Sequence, residues 1–249
     1  MIRQAVVPAA GDGTRLRPLT RERPKGLLAV DGTPILTRCF DQLLAAGITE
    51  VVVVVGYRAS DIVAEYGDTY RELDLQYVHQ RDRLGLGDAV SLSEPFVDGE
   101  FLLVNGDNVF DPAFDFGDLL DRHAESDAAV TALAERLSPE DATETGVFEP
   151  AGAFDDGAVR VEGVVEKPDE PPSTLASAGC YVLPAEIFSA LSLLRPSDRG
   201  EYELSDAVDV LCAAGARVEA VELAELGGWR QNVNRPADLD RATERVRDR

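Results

Sequence analysis

Apolar and polar segments alternate along the first 110 residues of the chain. Apolar runs at residues 2–8, 50–56, 75–80 and 101–107 predict β-strands. The run at 50–56, EVVVVVG, is unbroken and β-branched, which indicates a strand that is covered on both faces. Amphipathic segments lie between the runs, and the clearest, residues 34–47, begins at a proline and ends at a glycine, as helices do. This alternation favours a parallel sheet with helices on both sides.

The second half of the chain is less regular. Further strands are predicted near 126–134, 158–168 and 175–183, and helices at 185–194, 202–215 and 236–247. No internal repeat, low-complexity tract or long linker interrupts the pattern. The sequence therefore predicts one α/β domain over residues 1–249, with a Rossmann-like, mostly parallel central sheet and helices on both faces.

The composition is strongly acidic, because 46 Asp and Glu residues against 24 Lys and Arg give a formal net charge of −22. Such a field repels nucleic acid and anionic membranes, so we expect neither as a partner. No apolar run approaches the roughly 20 residues of a membrane span or resembles a secretory signal, so a cytoplasmic protein is expected. The only lysines are Lys25 and Lys167, and this acidic, lysine-poor composition fits a salt-loaded cytoplasm.

A glycine-rich loop, AAGDGTRLRPLT, follows the first predicted strand at residues 9–20. Glycines allow backbone amides to approach a ligand closely, and arginines recognise phosphate, so the loop predicts a polyphosphate site at the end of a strand. It is not a P-loop, because the terminal Gly-Lys-Ser/Thr is missing. It is also a poor dinucleotide fingerprint, because Leu16 replaces the third glycine. Taken alone, the loop fits an ordinary glycine turn with exposed arginines equally well.

A longer segment, residues 8–36 (PAAGDGTRLRPLTRERPKGLLAVDGTPIL), resembles the signature of the sugar-1-phosphate nucleotidyltransferases, and most closely that of the glucose-1-phosphate uridylyl- and thymidylyltransferases. Seven further segments are similar to that family and stand in its order: HQRDRLGLGDA, NGDNVF, GVFEP, VVEKP, SAGCYVL, GEYELSDAV and GWRQNVNRPADL. The resemblance covers nearly the whole chain. It implies a nucleotide-binding half at about 1–110 and a sugar-phosphate-binding half at about 111–249.

The resemblance implies a reaction in which a sugar 1-phosphate attacks the α-phosphorus of UTP or dTTP and pyrophosphate leaves. Catalysis is then mostly alignment and charge stabilisation, and the implied catalytic residues are Arg15, Lys25, Asp107 and Lys167. The implied nucleotide-binding residues are Ala9, Ala10, Gly11, Gly13, Thr14, Arg15, Lys25, Gln80 and Gly85. The implied sugar-phosphate-binding residues are Asn108, Gly146, Glu166 and Lys167. The implied cofactor is Mg²⁺, with Asp107 and Asn232 as its ligands, since hard oxygen ligands suit that ion.

Three residues depart from the family pattern. Pro8 stands where leucine is more frequent, and Thr145 stands where many members carry tyrosine. Asn232 occupies the usual place of a second metal-binding aspartate, and an amide oxygen brings no charge to a metal. Asn234, two residues on, is the rival ligand.

These departures leave two functions open. The first is transfer of a uridylyl group, favoured over thymidylyl, to glucose 1-phosphate or a close relative of it. The second is a catalytically silent sugar-nucleotide-binding regulatory protein of the same fold. The choice between uracil and thymine, the sugar and the existence of a homo-oligomer stay open at this point.

Overall fold

The computed structural model describes residues 2–248. Its strands are β1 (Gln4–Ala9), β2 (Ala29–Val30), β3 (Thr33–Pro34), β4 (Glu50–Val55), β5 (Thr69–Tyr70), β6 (Leu73–His79), β7 (Phe101–Val104), β8 (Asn108–Phe110), β9 (Val130–Arg136), β10 (Gly146–Pro150), β11 (Ala158–Glu166), β12 (Leu175–Leu183), β13 (Val218–Glu222) and β14 (Arg230–Asn232). Its α-helices are α1 (Ile35–Ala45), α2 (Ala59–Tyr66), α3 (Leu86–Ser91), α4 (Phe116–Glu125), α5 (Pro139–Ala142), α6 (Glu186–Leu193), α7 (Leu204–Ala213) and α8 (Pro236–Arg247).

Ten strands form one sheet in the order β10-β11-β13-β9-β12-β7-β1-β4-β6-β5. In the first half of the chain β1 pairs in parallel with β4 and β7, and β4 with β6, as the alternating pattern predicts. In the second half β12 runs antiparallel to β7 and β9, and β11 runs antiparallel to β10 and β13. The sheet as a whole is therefore mixed rather than mostly parallel, because the later strands are not joined one by one through crossover helices.

The sheet is buried on both faces, which explains the continuous apolar runs. In β4, Val52 and Val54 face one apolar cluster, whereas Val51, Val53 and Val55 face another. Such alternation follows from the two-residue period of a strand. Helices α3, α6 and α7 cover the first face, and α1, α2 and α4 cover the second, so the predicted α/β fold with helices on both faces is confirmed.

A smaller apolar cluster fixes the glycine-rich loop to the end of the chain. It joins Leu16 of that loop and Ile35 of α1 to Val109, Val233 and Ala242 of β8, the β14–α8 connection and α8. The two-stranded pair β8–β14 lies beside this cluster. Residues separated by more than 200 positions are thereby held together beyond the carboxyl ends of the central strands β1 and β7. Among residues 2–248, no helix combines the length and the hydropathy that crossing a membrane requires.

Candidate active site

Two adjoining cavities open where β1 and β7 end. The smaller has a volume of about 250 Å³ and the larger about 690 Å³. Arg15, Asp107 and Asn234 line both of them. The carboxyl ends of parallel strands are where ligands bind in such sheets, so this position agrees with the site that the sequence predicts. The shared residues show that the two cavities meet at Asp107.

The glycine-rich loop forms one wall of the smaller cavity. Gly13 has a φ of 58°, and a Cβ atom there would lie 2.8 Å from Cγ2 of Thr20, so glycine is required. The Thr20 hydroxyl donates to the Gly13 carbonyl at 2.7 Å and holds the loop in place. Arg15 is exposed and makes no hydrogen bond or ion pair with another residue of the described range 2–248. Its guanidinium group therefore faces the cavity without a protein partner.

Lys25 is the buried cation of the smaller cavity. It lies in a short 3₁₀ helix directly after Pro24 and is only 9 % exposed. Its Nζ donates to Oδ2 of Asp107 at 2.8 Å and to Oδ1 of Asn234 at 2.9 Å. Burial alone would raise the pKa of Asp107, but Lys25, and to a smaller extent Arg230, outweigh it, so the pKa of this carboxyl is lowered. Asp107 is therefore ionised at neutral pH.

Three asparagines lie beside this ion pair, and one of them, Asn232, contacts the carboxylate. Strands β8 and β14 pair so that Asn232 lies opposite Asn108. The amide nitrogen of Asn232 donates to Oδ1 of Asp107 at 3.1 Å and to Oδ1 of Asn108 at 2.9 Å. The amide of Asn234 donates in turn to Oδ1 of Asn232. The structure therefore brings Asp107, Asn232 and the rival Asn234 together, with Asn232 against the carboxylate and Asn234 against Lys25.

This set of donors can be compared with the needs of a divalent metal. Among residues 2–248, no group of three or more His, Cys, Asp or Glu side chains is placed so that it could hold a metal ion. One carboxylate fits magnesium, which often takes only one or two protein carboxylates and completes its shell with substrate phosphates and water. Asn232 would add its amide oxygen by turning away the nitrogen that now donates to Asp107. Asp107 and the asparagine amides therefore fit an ion that arrives with a phosphate ligand.

Glu166, Lys167 and Gly146 lie together in the larger cavity. The register of β10 and β11 places Gly146 opposite Glu166, and a Cβ atom on Gly146 would lie 3.1 Å from Oε2 of the glutamate. The Ser205 hydroxyl donates to that oxygen at 2.8 Å, and Nζ of Lys167 is 3.6 Å from Oε1. Burial raises the pKa of Glu166, although Ser205 and Lys167 act in the opposite direction. Lys167 has a φ of 45°, an unusual backbone conformation for a lysine.

Not every residue that the sequence singled out lines a cavity. Gln80 is buried, and its amide nitrogen donates to the Gly85 carbonyl at 3.0 Å and to Oδ2 of Asp88 at 2.7 Å. Gly85 has a φ of 99° and lies against the backbone of Tyr202, where a Cβ atom would be 2.6 Å from the carbonyl oxygen. Neither residue belongs to the lining of the two cavities, whereas the adjacent Leu86 does.

The family model for nucleotidyl transferases matches residues 4–231 of the chain. The chain belongs to this family. It is 42 % identical to UTP–glucose-1-phosphate uridylyltransferase AglF of Haloferax volcanii, over 98 % of this chain and 97 % of that one. It is 34 % identical to glucose-1-phosphate thymidylyltransferase of Streptomyces antibioticus, over 93 % of this chain and 63 % of that one.

A solved structure supports the same fold. UDP-glucose pyrophosphorylase complexed with UDP-glucose superposes with a TM-score of 0.88 and 24 % identity over 98 % of both chains. The family match and the 42 % identical relative confirm the resemblance found in the sequence and the expectation of an enzyme.

Sequence reasoning missed Arg230, which lines the larger cavity. Its Nη1 donates to Oδ1 of Asn108 at 3.1 Å, its Nη2 pairs with Glu135, and its buried Nε has no partner within residues 2–248. The only hint in the sequence was its place beside Asn232 in GWRQNV, because the short strand β14 that sets its direction is fixed by pairing with β8.

Arg199 and Glu203 were missed as well. Arg199 pairs with Glu203 at 2.8 Å and is 3.7 Å from Oε1 of Glu166, so this pair adjoins the larger cavity.

Proposed function

We propose that this protein transfers a uridylyl group from UTP to glucose 1-phosphate, forming UDP-glucose and pyrophosphate. One observation carries the proposal. The only two lysines of the chain, Lys25 and Lys167, face different cavities, and these cavities meet at Asp107. Two anions must approach one another in this reaction, and compact ammonium groups suit phosphate on both sides.

The residues divide between the two substrates. The backbone of Ala9 to Thr14 cradles the triphosphate, with Arg15 and Lys25 supplying its counter-charges. Lys167 holds the phosphate of the sugar. Gly146 and Glu166 receive the sugar ring and its hydroxyls. Asn108, which is buried, supports this site through its hydrogen bonds with Arg230 and Asn232. Gln80 and Gly85 shape the turn that meets the base, with Gln80 acting through the Gly85 and Asp88 contacts described above.

Catalysis then rests on alignment. A phosphate oxygen of the sugar 1-phosphate forms a bond to the α-phosphorus of UTP as the bond to the β-phosphate oxygen breaks in line with it. Arg15 and Lys25 stabilise the charge that develops on the leaving pyrophosphate. Asp107 and Asn232 would hold Mg²⁺, which neutralises phosphate charge when it is bound. Lys25 keeps Asp107 ionised until then, since it offsets the effect of burial on the pKa of that carboxyl.

The choice of UTP and glucose 1-phosphate rests on the relatives. The archaeal protein that is 42 % identical is named for UTP and glucose 1-phosphate. The thymidylyltransferase is less similar, and this chain spans about two thirds of its length. Uridylyl transfer is therefore favoured over thymidylyl transfer.

The test is a matrix of UTP, dTTP, ATP and GTP against glucose, galactose and N-acetylglucosamine 1-phosphates, with pyrophosphate release and nucleotide-sugar mass as readouts. We expect the highest kcat/KM for UTP with glucose 1-phosphate and no turnover when MgCl2 is replaced by EDTA. Binding of UTP without pyrophosphate release from any pair would instead favour the silent regulatory protein. A preference for dTTP or for another sugar would replace the corresponding substrate.

A further inference from the structure

A carboxylate lies inside the glycine-rich loop that we propose binds the triphosphate. Asp12 stands between Gly11 and Gly13, and its side chain is only 15 % exposed. It lines the smaller cavity together with Lys25 and Asp107. A triphosphate that enters this cavity meets an additional negative charge at close range, and unit charges a few ångströms apart repel strongly at low dielectric. The loop needs a means to cancel this charge.

Arg83, from another part of the chain, supplies the positive charge that neutralises Asp12. It lies in the turn between β6 and α3, 71 residues away, and its Nη1 pairs with Oδ2 of Asp12. The other carboxylate oxygen accepts only a long bond of 3.4 Å from the amide of Thr14. Arg83 itself is 64 % exposed and is not part of the cavity lining. Its position fits compensation of Asp12 better than direct contact with a ligand in the cavity.

We propose that Arg83 is a positioning residue for the nucleotide: it neutralises Asp12 and so permits a triphosphate to bind in the glycine-rich loop. This inference rests on the proposed function, because it takes the smaller cavity to be the triphosphate site. The ion pair contributes little to folding, because the Arg83 side chain is 64 % exposed and water screens its charge. Its effect appears when UTP arrives, because Asp12 without Arg83 repels the triphosphate.

The test is a double-mutant cycle on UTP affinity. Calorimetric titration with UTP and MgCl2, without sugar phosphate and at low KCl, measures Kd for wild type, Arg83→Gln, Asp12→Asn and the double variant. We expect Arg83→Gln to raise Kd by about fivefold. Asp12→Asn should lower Kd, because it removes the charge that repels the triphosphate, and the double variant should return to within about twofold of wild type.

A matched control and a salt series separate this role from others. Arg81→Gln removes the same charge from the same turn, at an exposed residue without hydrogen bond or ion pair among residues 2–248, and should change Kd by less than about twofold. In about 1 M KCl the Debye length falls to about 3 Å, so the effect of Arg83→Gln should largely vanish. A role in shaping the loop would persist at high salt.

Several results would overturn the inference. The first is an unchanged Kd for Arg83→Gln. The second is an equal loss of UTP affinity in Arg83→Gln and in the double variant, because this result indicates that Arg83 contacts the phosphate directly. The third is a loss of UTP affinity in Arg83→Gln that does not change with the salt concentration. In each of these cases wild type still binds and converts UTP, so the proposed function survives. Wild type that binds no UTP overturns the proposed function, and this inference falls with it.

Discussion

The substitution Asn232→Asp tests the centre of the site. The Asn232 amide donates to Asp107 at 3.1 Å and to Asn108 at 2.9 Å, so it meets an acceptor oxygen on each side. An aspartate at this position turns the donor into an acceptor and brings a second negative charge against Asp107. In metal-free buffer the variant should therefore be less stable than wild type. With magnesium present the same two carboxylates should hold the ion better than one does.

The magnitude follows from these contacts. Loss of two hydrogen bonds costs about 1 kcal/mol each, and two unit charges at 4 Å repel by about 4 kcal/mol at an effective dielectric of 20. Lys25 remains bonded to Asp107, and that side chain is 33 % exposed, so water screens part of the repulsion. We therefore expect a net destabilisation of about 3 kcal/mol, which for a chain of this size lowers Tm by about 6 to 12 °C.

The assay is thermal unfolding in EDTA and in a MgCl2 series, followed by a magnesium titration of the initial rate. In MgCl2 the Tm deficit of Asn232→Asp should shrink, and half-maximal rate should need less magnesium than in wild type. Asn234→Asp is the matched control, because its oxygen already accepts from Lys25 and an added charge pairs with that lysine. Its Tm in EDTA should fall by less than half as much.

Two results would refute this reasoning. Equal Tm values of Asn232→Asp and wild type in EDTA would mean that the amide does not face Asp107. A magnesium requirement that only Asn234→Asp shifts would assign the ligand to Asn234.

Three further predictions concern the charged groups. Lys25→Gln should raise KM for UTP, and Lys167→Gln should raise KM for the sugar phosphate. In steady-state kinetics each variant should lower kcat/KM at least about tenfold. Normal kinetics in either variant would show that the lysine does not have the proposed role. Glu166→Gln should raise Tm at pH 7. Burial raises the pKa of Glu166, so the charged carboxylate at pH 7 destabilises the folded state relative to the unfolded state. In a pH series of thermal unfolding the gain should disappear below about pH 4, where Glu166 is protonated in both states. Tm of wild type should rise between low salt and about 1 M KCl, because screening relieves repulsion within a chain of net charge −22, and a salt-independent Tm would contradict the salt-loaded cytoplasm.

The local pattern of apolar and polar residues predicted the strands that are buried on both faces and the amphipathic helix α1. Strands β1 and β4 were found because every position is apolar or nearly so, and α1 because its apolar residues recur at helical spacing. Helix α4 was missed although it has a signal, since Asp115 caps it by accepting from the Gly117 amide at 2.8 Å. Strand β14 has three residues and exists through its pairing with β8, more than 100 positions away, which no local pattern contains.

The site shows the same limit. Motifs indicated that Lys25 and Asp107 belong to one centre although 82 residues separate them. They did not show that the two form an ion pair, nor that Asn232 faces the carboxylate while Asn234 faces the lysine. Such pairings depend on how loops pack side by side, which the residue types alone do not determine.

The mixed order of the sheet has a consequence for synthesis on the ribosome. Strand β7 is apolar throughout and pairs on one side with β1, but its other neighbour is β12, which ends at Leu183. At about 5–20 residues per second, that edge emerges several seconds before its partner does. An open apolar edge is a template for pairing with other chains. Until the second half of the chain has been made, the open edge of β7 is therefore a site at which two nascent chains can pair wrongly.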